Sequence, residues 1–322
     1  MLSPVLCNYA PPGEYIKDHT LIFHDGFWHL YSISGTKGYS HLYNGNEETI
    51  SWSMSSDLVN WDYRGHVFHA SLRDGEFDQH EVWAPFCVQA NDAFYFYYAG
   101  IVHPERPMCY EKMGTFHPDV RWDGHKETIG LATSENLTKW TKISDREKGI
   151  SVPGRDPHVV FDEKNNRYLL YSTGRANKGK CEVLVSQSKN LIDWEYLGIC
   201  AVLPDDQPAP MMATNESMTV LKHPQNDKWI LLGNVHWVLS DDPVNFMNSP
   251  VHEYFEDEVD GREQMSRMGF AAEIIEWKGK WYRSGVMGMI DNWTLGFHEI
   301  EWEQDGAFHI VKESIQSRTS WD

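Results

Sequence analysis

Short runs of alternating apolar and polar residues recur along the chain, each closed by a cluster of turn-forming residues. Four of them, Thr49 to Met54, Thr128 to Thr133, Glu182 to Gln187 and Val235 to Leu239, lead into variants of one heptapeptide. The copies are Ser55-Ser56-Asp57-Leu58-Val59-Asn60-Trp61, Ser134-Glu135-Asn136-Leu137-Thr138-Lys139-Trp140, Ser188-Lys189-Asn190-Leu191-Ile192-Asp193-Trp194 and, more loosely, Ser240-Asp241-Asp242-Pro243-Val244-Asn245-Phe246. Such a pattern predicts a strand, a turn, and a further strand led by an aromatic residue. Upstream lies a second unit, present five times: an apolar strand, a turn of Asp, Asn or Gly, and an aromatic-rich strand. Its turns fall at His24-Asp25-Gly26, Ala90-Asn91-Asp92, Asn165-Asn166, Asn226-Asp227 and Lys278-Gly279, and read as hairpins.

Together the two units give four antiparallel strands per module, with modules starting near residues 16, 81, 155, 215 and 268. The expectation is an all-β chain folded as one five-bladed β-propeller domain over residues 1–322. A β-sandwich offers no reason for the internal repeat, and the coil of a β-solenoid is shorter than these modules. Insertions at 101–127 and 241–267 read as surface excursions, or, more sharply, as a substrate lid or a subunit contact.

Charge narrows the partners. With 28 Lys and Arg against 47 Asp and Glu, the net charge of −19 argues against nucleic acid and anionic membrane surfaces. Aromatic residues make up 13% of the chain, which suits β structure and stacking on sugar rings. The five cysteines include no C-x-x-C pair, so neither a disulfide framework nor a zinc ribbon is expected, and reduced thiols point to a cytoplasmic protein. The first residues, Met1-Leu2-Ser3-Pro4-Val5, lack the basic and apolar regions of a leader, and no run approaches a membrane span.

Aligning the hairpins on their aromatic strands compares the innermost strands position by position. Counting back five residues from Phe23, Phe161 and Leu221 gives Asp18, Asp156 and Glu216, while blades two and five place Ala84 and Ala271 there. Equal register puts three carboxylates at one depth of a central channel. Any one of them taken alone is more simply a turn cap or half of an ion pair, but like charges clustered in a partly dry cavity repel, and three in register point to chemistry or a cation. Two carboxyl groups flanking a bond, one protonated and one ionised, are the minimum for glycoside hydrolysis, and a third would orient the sugar.

At these residues the chain resembles the five-bladed propeller glycosidases of families 43 and 32. The resemblance rests on Arg155-Asp156-Pro157 before an apolar strand, Glu81-Val82-Trp83-Ala84-Pro85 opening blade two, Asp18 opening blade one, and the heptapeptide. Trp-Ala-Pro and the lack of a C-terminal sandwich bring it closer to family 43. The resemblance implies that Asp18 is the general base, or the nucleophile on the family 32 reading, Asp156 the carboxylate that orients the sugar and tunes pKa, and Glu216 the general acid. Two departures stand out: His19 follows Asp18 where proline is usual, and Glu216 sits in Asn215-Glu216-Ser217. Glu81, three residues before the matched register, is the fallback acid.

Trp83 would stack on a sugar face or pack in the core; Arg155 would bind a hydroxyl or pair with an acid; His236 and Trp237 read mainly as packing, with substrate contact the alternative. No catalytic metal or required cofactor is expected, since no tight ligand spacing appears among the 16 histidines. The resemblance implies that calcium or water in the channel would face His158 or His236. The leading expectation is an exo-acting glycosidase on a furanoside or pentoside (arabinofuranosidase, xylosidase or fructosidase), inverting, with an oligosaccharide or glycoside as substrate. A glycoside phosphorylase would need a basic phosphate site beyond Arg155 and Arg175, and a non-catalytic carbohydrate-binding propeller would turn its acids away from one another.

Overall fold

The computed structural model describes residues 6–39, 46–103, 126–177, 179–205, 215–254, 269–288 and 292–311. They form five four-stranded antiparallel sheets, each a simple meander of consecutive strands. Blade one is β1 (Glu14–His24), β2 (Phe27–Thr36), β3 (Thr49–Ser55) and β4 (Asp62–His69); blade two is β5 (Glu81–Ala90), β6 (Ala93–Val102), β7 (Lys126–Ser134) and β8 (Thr141–Lys142). Blade three is β9 (Arg155–Asp162), β10 (Arg167–Asn177), β11 (Lys180–Ser188) and β12 (Trp194–Pro204). Blade four is β13 (Thr219–Lys222), β14 (Trp229–Leu232), β15 (His236–Ser240) and β16 (Val251–Glu253), and blade five is β17 (Ile274–Trp277), β18 (Lys280–Met287), β19 (Thr294–Trp302) and β20 (Phe308–Ile310). The five-bladed propeller is thus present, with the first strand of each blade innermost. Residues 104–125 of the first expected insertion and 255–267 of the second lie outside the described residues.

The core is a set of wedges between adjacent sheets. Tyr31, Phe68 and Ile50 of blade one pack on Phe94, Phe96 and Tyr98 of blade two. Tyr97 and Leu131 meet Leu170 and Trp194 at the next interface, Tyr171 and Val183 meet Val220 and Leu231 at the third, and Ile230 and Leu232 meet Ile300 and Trp302 at the fourth. Leu21, Leu30 and Leu58 close the ring against Tyr282, Leu295 and Phe297 of blade five.

The heptapeptides are the turns between third and fourth strands. In the first copy the Ser55 hydroxyl accepts from the amides of Asp57 and Leu58, and Asp57 Oδ1 accepts from those of Val59 and Asn60. This winds Leu58 into the left-handed region, as it does Leu137 and Leu191 (φ 64°, 64° and 66°), and buries each leucine. The preceding blade caps the turn's carbonyl: Tyr31 Oη donates to Leu137 O and Tyr97 Oη to Leu191 O, both at 2.6 Å, and Tyr171 Oη to Pro243 O at 2.7 Å. The fourth copy is looser because proline can neither donate an amide hydrogen nor adopt positive φ.

Candidate functional site

Register within the sheets fixes which inner-strand residues are equivalent. Trp28, Phe94, Tyr168 and Trp229 each pair with the serine that opens the heptapeptide. On the inner side they pair with Phe23, Gln89, Phe161 and Lys222. Five residues earlier stand Asp18, Ala84, Asp156 and Ser217, and in blade five, where Trp281 pairs with Glu276, Ala271. Backbone conformation agrees: Ala84, Asp156, Ser217 and Ala271 have φ of 44°, 53°, 54° and 48°, a repeated strain of the kind found at functional sites. The expectation for Glu216 is therefore corrected. It stands one residue before the ring holding Asp18 and Asp156, because Lys222, not Leu221, is the counterpart of Phe23 and Phe161.

A second tier follows, one residue earlier in each blade: Lys17, Trp83, Arg155, Glu216 and Phe270. In a regular strand neighbouring side chains point to opposite faces, but a bulge re-aims one of them. Register shifts between Ile16 and His19 in β1, and between Trp83 and Phe86 in β5, supply such bulges. In blade three the corresponding break lies across Tyr171 and Thr173 of β10.

The three predicted acids do converge. Ser217 joins two of them, its Oγ donating to Asp18 Oδ2 and its amide to Asp156 Oδ2, each at 3.3 Å. Arg155 joins the other combination, with Nε 3.2 Å from Asp156 Oδ2 and Nη2 2.6 Å from Glu216 Oε2, while Nη1 lies 3.6 Å from Glu127 Oε2. Arg155 is therefore a partner of acids in this state. Glu216 is held from behind: Asn234 Nδ2 donates to its carbonyl, and the buried Asn215 bonds Pro204 O, the amides of Val235 and His236, and His236 Nδ1.

Burial and mutual repulsion raise all three acids. Asp18 is pushed up to about 7, by burial first and the Asp156 charge next, against the pull of Lys17. Asp156 and Glu216 are raised by burial too, with Arg155 opposing in both. Below them a narrow cavity of about 30 Å³ is lined by His19, His158, Thr219 and Glu273 as well as Asp18 and Asp156. Burial depresses His19 to about 3 and His158 to about 4, so both imidazoles are neutral, and it raises Glu273 to about 8.

The remaining predicted residues divide. Trp83 lies at the mouth, with Lys17 Nζ 5.0 Å from its ring centre. Glu81 is buried against His103, 3.1 Å from Nε2. His236 is a bracket behind Glu216, with Nε2 3.5 Å from Glu253. Trp237 packs between blades four and five and stacks on His252 at 4.3 Å. As for a channel calcium, among the described residues no three His, Cys, Asp or Glu side chains converge as a ligand set. His158 Nε2 shares a 2.9 Å hydrogen bond with Val220 O.

Sequence reasoning did not single out Lys17, Glu47, Glu127 or Ser217. Lys17 Nζ pairs with Glu47 Oε2 at 3.1 Å, and Glu47, fully buried, also accepts from Tyr15 Oη at 2.9 Å. The signal for Ser217 was the register count itself, displaced by one.

The family model described as "Glycosyl hydrolases family 43" matches residues 23–198, more than half of the chain. The match includes Asp156 but neither Asp18 nor Glu216. No curated relative matches in sequence. Among solved structures, a family 32 β-fructofuranosidase from Bombyx mori is similar at 17% identity and a TM-score of 0.66, covering 96% of this chain and 65% of its own. This chain thus spans just under two thirds of that enzyme. A family 43 enzyme from Xanthomonas citri, complexed with xylotriose, gives 15% identity and a TM-score of 0.64 with 96% and 93% covered. An α-L-arabinofuranosidase from Clostridium thermocellum gives 18% and 0.58 with 92% and 93% covered. At these identities the structural likenesses speak for the fold.

Proposed function

Since the chain belongs to glycosyl hydrolase family 43, we propose that it is an exo-acting glycosidase of furanosides or pentosides, of the arabinofuranosidase, xylosidase or fructosidase type, working by inversion. The observation that carries this reading is the convergence of Asp18, Asp156 and Glu216 on Ser217 and Arg155 at the channel mouth. A propeller that only bound carbohydrate would have no need to hold three repelling carboxylates together. Among the described residues, the cations at the mouth, Lys17 and Arg155, are each bonded to carboxylates, which favours hydrolysis over phosphate attack. The cavity that Asp18 and Asp156 line has room for about one water, which suits a water activated by Asp18.

In this mechanism Asp18 takes a proton from the attacking water, and Glu216 protonates the leaving oxygen. Asp156, anchored by the Ser217 amide, orients the sugar and keeps the proton on Glu216 by its charge. Xylotriose bound in the Xanthomonas citri relative fits the pentoside reading.

A panel of α-L-arabinofuranoside, β-D-xyloside, β-D-fructofuranoside and β-D-galactofuranoside substrates tests the activity; silence from every member would favour a binding propeller. Glu216→Gln separates the roles. Substrates with poor leaving groups should lose about 10²–10⁴-fold while activated aryl glycosides lose far less; equal losses would move the acid role to Glu81. Proton NMR of the first-formed anomer decides between inversion and retention.

A further inference from the structure

The mouth holds many more carboxylates than cations. Asp18, Asp156, Glu216, Glu47, Glu81 and Glu127 gather there with Lys17 and Arg155. Arg155 is committed to Glu127, Asp156 and Glu216, and has no contact with Asp18. Lys17 is the chain neighbour of Asp18 across the bulge of β1, and its ammonium is fixed on three sides. Glu47 Oε2 lies 3.1 Å away, and the faces of Trp83 and Trp293 lie at 5.0 and 5.7 Å. Its single ion pair is with Glu47, which leaves it beside Asp18 without occupying that carboxylate.

We propose that Lys17 is a positioning residue for the glycosidase reaction proposed above: a clamped, near but unbonded positive charge that holds Asp18 ionised while leaving its oxygens open to water. A direct ion pair would steal the lone pairs a general base needs; a more distant charge would be screened. The clamp solves both, since Glu47 restrains the ammonium and the indole faces exclude water from it. Position on the strand supports this. Lys17 and Arg155 hold the same place in blades one and three, so each acid of the deeper ring that carries chemistry has a cation one residue before it.

Among the described residues, the groups facing Asp18 are Lys17 and His19 on its own strand, Glu47 from the following loop, Asp156 from blade three, Glu216 and the Ser217 hydroxyl from blade four, and Glu273 from blade five across the cavity; blade two presents the uncharged Ala84 and Pro85. His19 stays neutral, so among these Lys17 is the cation. Arg283 of blade five bears on His19 and is bonded to the carbonyls of Gly269 and Ser284.

Lys17→Met and Lys17→Arg, compared with the wild type across pH, test the proposal. In Lys17→Met the acidic limb of kcat/KM should move up by about one unit, with an approximately tenfold loss below it, and shrink toward wild type on the alkaline side; Lys17→Arg should restore the limb. An unmoved limb in folded Lys17→Met would overturn it. Because turnover depends on the glycosidase reading, the Asp18 carboxyl carbon is also titrated by NMR in ¹³C-aspartate protein, assigned by its loss in Asp18→Asn. A raised midpoint in Lys17→Met supports the charge role even if no glycoside is hydrolysed, a result that would count against the glycosidase reading alone. An unchanged midpoint refutes the role of Lys17 whatever the activity. Should Lys17→Met not fold, Lys17→Gln is read by the same titration.

Discussion

A carboxylate that burial and like charges push up is a destabilising group wherever it must ionise. Asp18 titrates near 4 in an unfolded chain and near 7 in the fold, so the folded state binds its proton more tightly. Its contribution to stability is full below about pH 4 and is lost as pH rises through 7. Replacing it removes that penalty. Asp18→Asn is expected to stabilise the fold at pH 8 by about 2–4 kcal/mol and to leave it unchanged at pH 4, as read by urea denaturation at the two pH values. The same substitution should lower kcat by about 10²–10⁴-fold, because an amide cannot accept the proton of the attacking water. A variant neither stabilised at pH 8 nor slowed would mean that Asp18 is not a buried, repelled base.

The acids were legible in sequence as types at a spacing; their exact tier was not. Four residues separate Phe23 from its partner Trp28 in blade one, whereas six separate the equivalent Lys222 from Trp229 in blade four. Counting from an apolar residue near the turn slips when turn length varies, and so Ser217 was hidden behind Glu216. Lys17 was hidden for another reason: period-two alternation assigns it to the face opposite Asp18, and the bulge of β1 breaks that alternation where its charge bears on the Asp18 carboxyl.

At the scale of elements, the heptapeptide announced the fold because one serine and one Asp or Asn satisfy several turn amides at fixed offsets. What the sequence left unread is why the turn is repeated in neighbouring blades. In blades one to three, the tyrosine three residues after the serine-paired aromatic of the second strand (Trp28, Phe94 or Tyr168) reaches the turn of the following blade. Blade four has Leu232 at this place, facing a blade that carries no heptapeptide, and blade five has Ser284, so the turn of blade one is reached by no such tyrosine and Leu58 O takes the Trp61 indole N–H at 3.2 Å. Each such bond is buried, and its loss leaves the carbonyl one donor short, although Leu191 O keeps the Trp194 indole N–H at 3.3 Å. Tyr97→Phe should therefore cost about 0.5–1.5 kcal/mol of stability while retaining the ring packing on Trp194, measured by denaturant midpoint at constant m value. No change in midpoint would show that the bond to Leu191 is replaced by water.

On the scale of the whole molecule, a ring of sheets is only as firm as its closing joint, where blade five meets blade one. At the axis that joint is made by His19 bonded to Ser284 at 2.7 Å and by Glu273 accepting the Leu21 amide at 2.8 Å. At the rim a different device appears. β20 pairs with β19 only from Ile300 to Trp302, and the chain before β1 takes up the edge that remains: Leu6 donates to Phe297 O, and Tyr9 and Leu295 exchange both backbone bonds. Tyr9 then crosses to blade one, sharing a 2.7 Å hydrogen bond with Ser53 and stacking on Trp61 at 5.8 Å. Residues 6–9 thus act as a strap over the joint. Removing residues 1–10 forfeits three backbone bonds, the Tyr9 hydroxyl bond and an aromatic stack, a loss of about 3 kcal/mol or more and roughly 5 °C in Tm. Tyr9→Phe, which loses only the bond to Ser53, should fall by far less. Since the axial contacts of His19 and Glu273 remain, the truncated protein should keep kcat near wild type at 25 °C and lose its activity faster on heating. Thermal half-life and kcat measured side by side decide it: an unchanged half-life would deny the strap, and a collapse of kcat at 25 °C would show that rim and axis open as one.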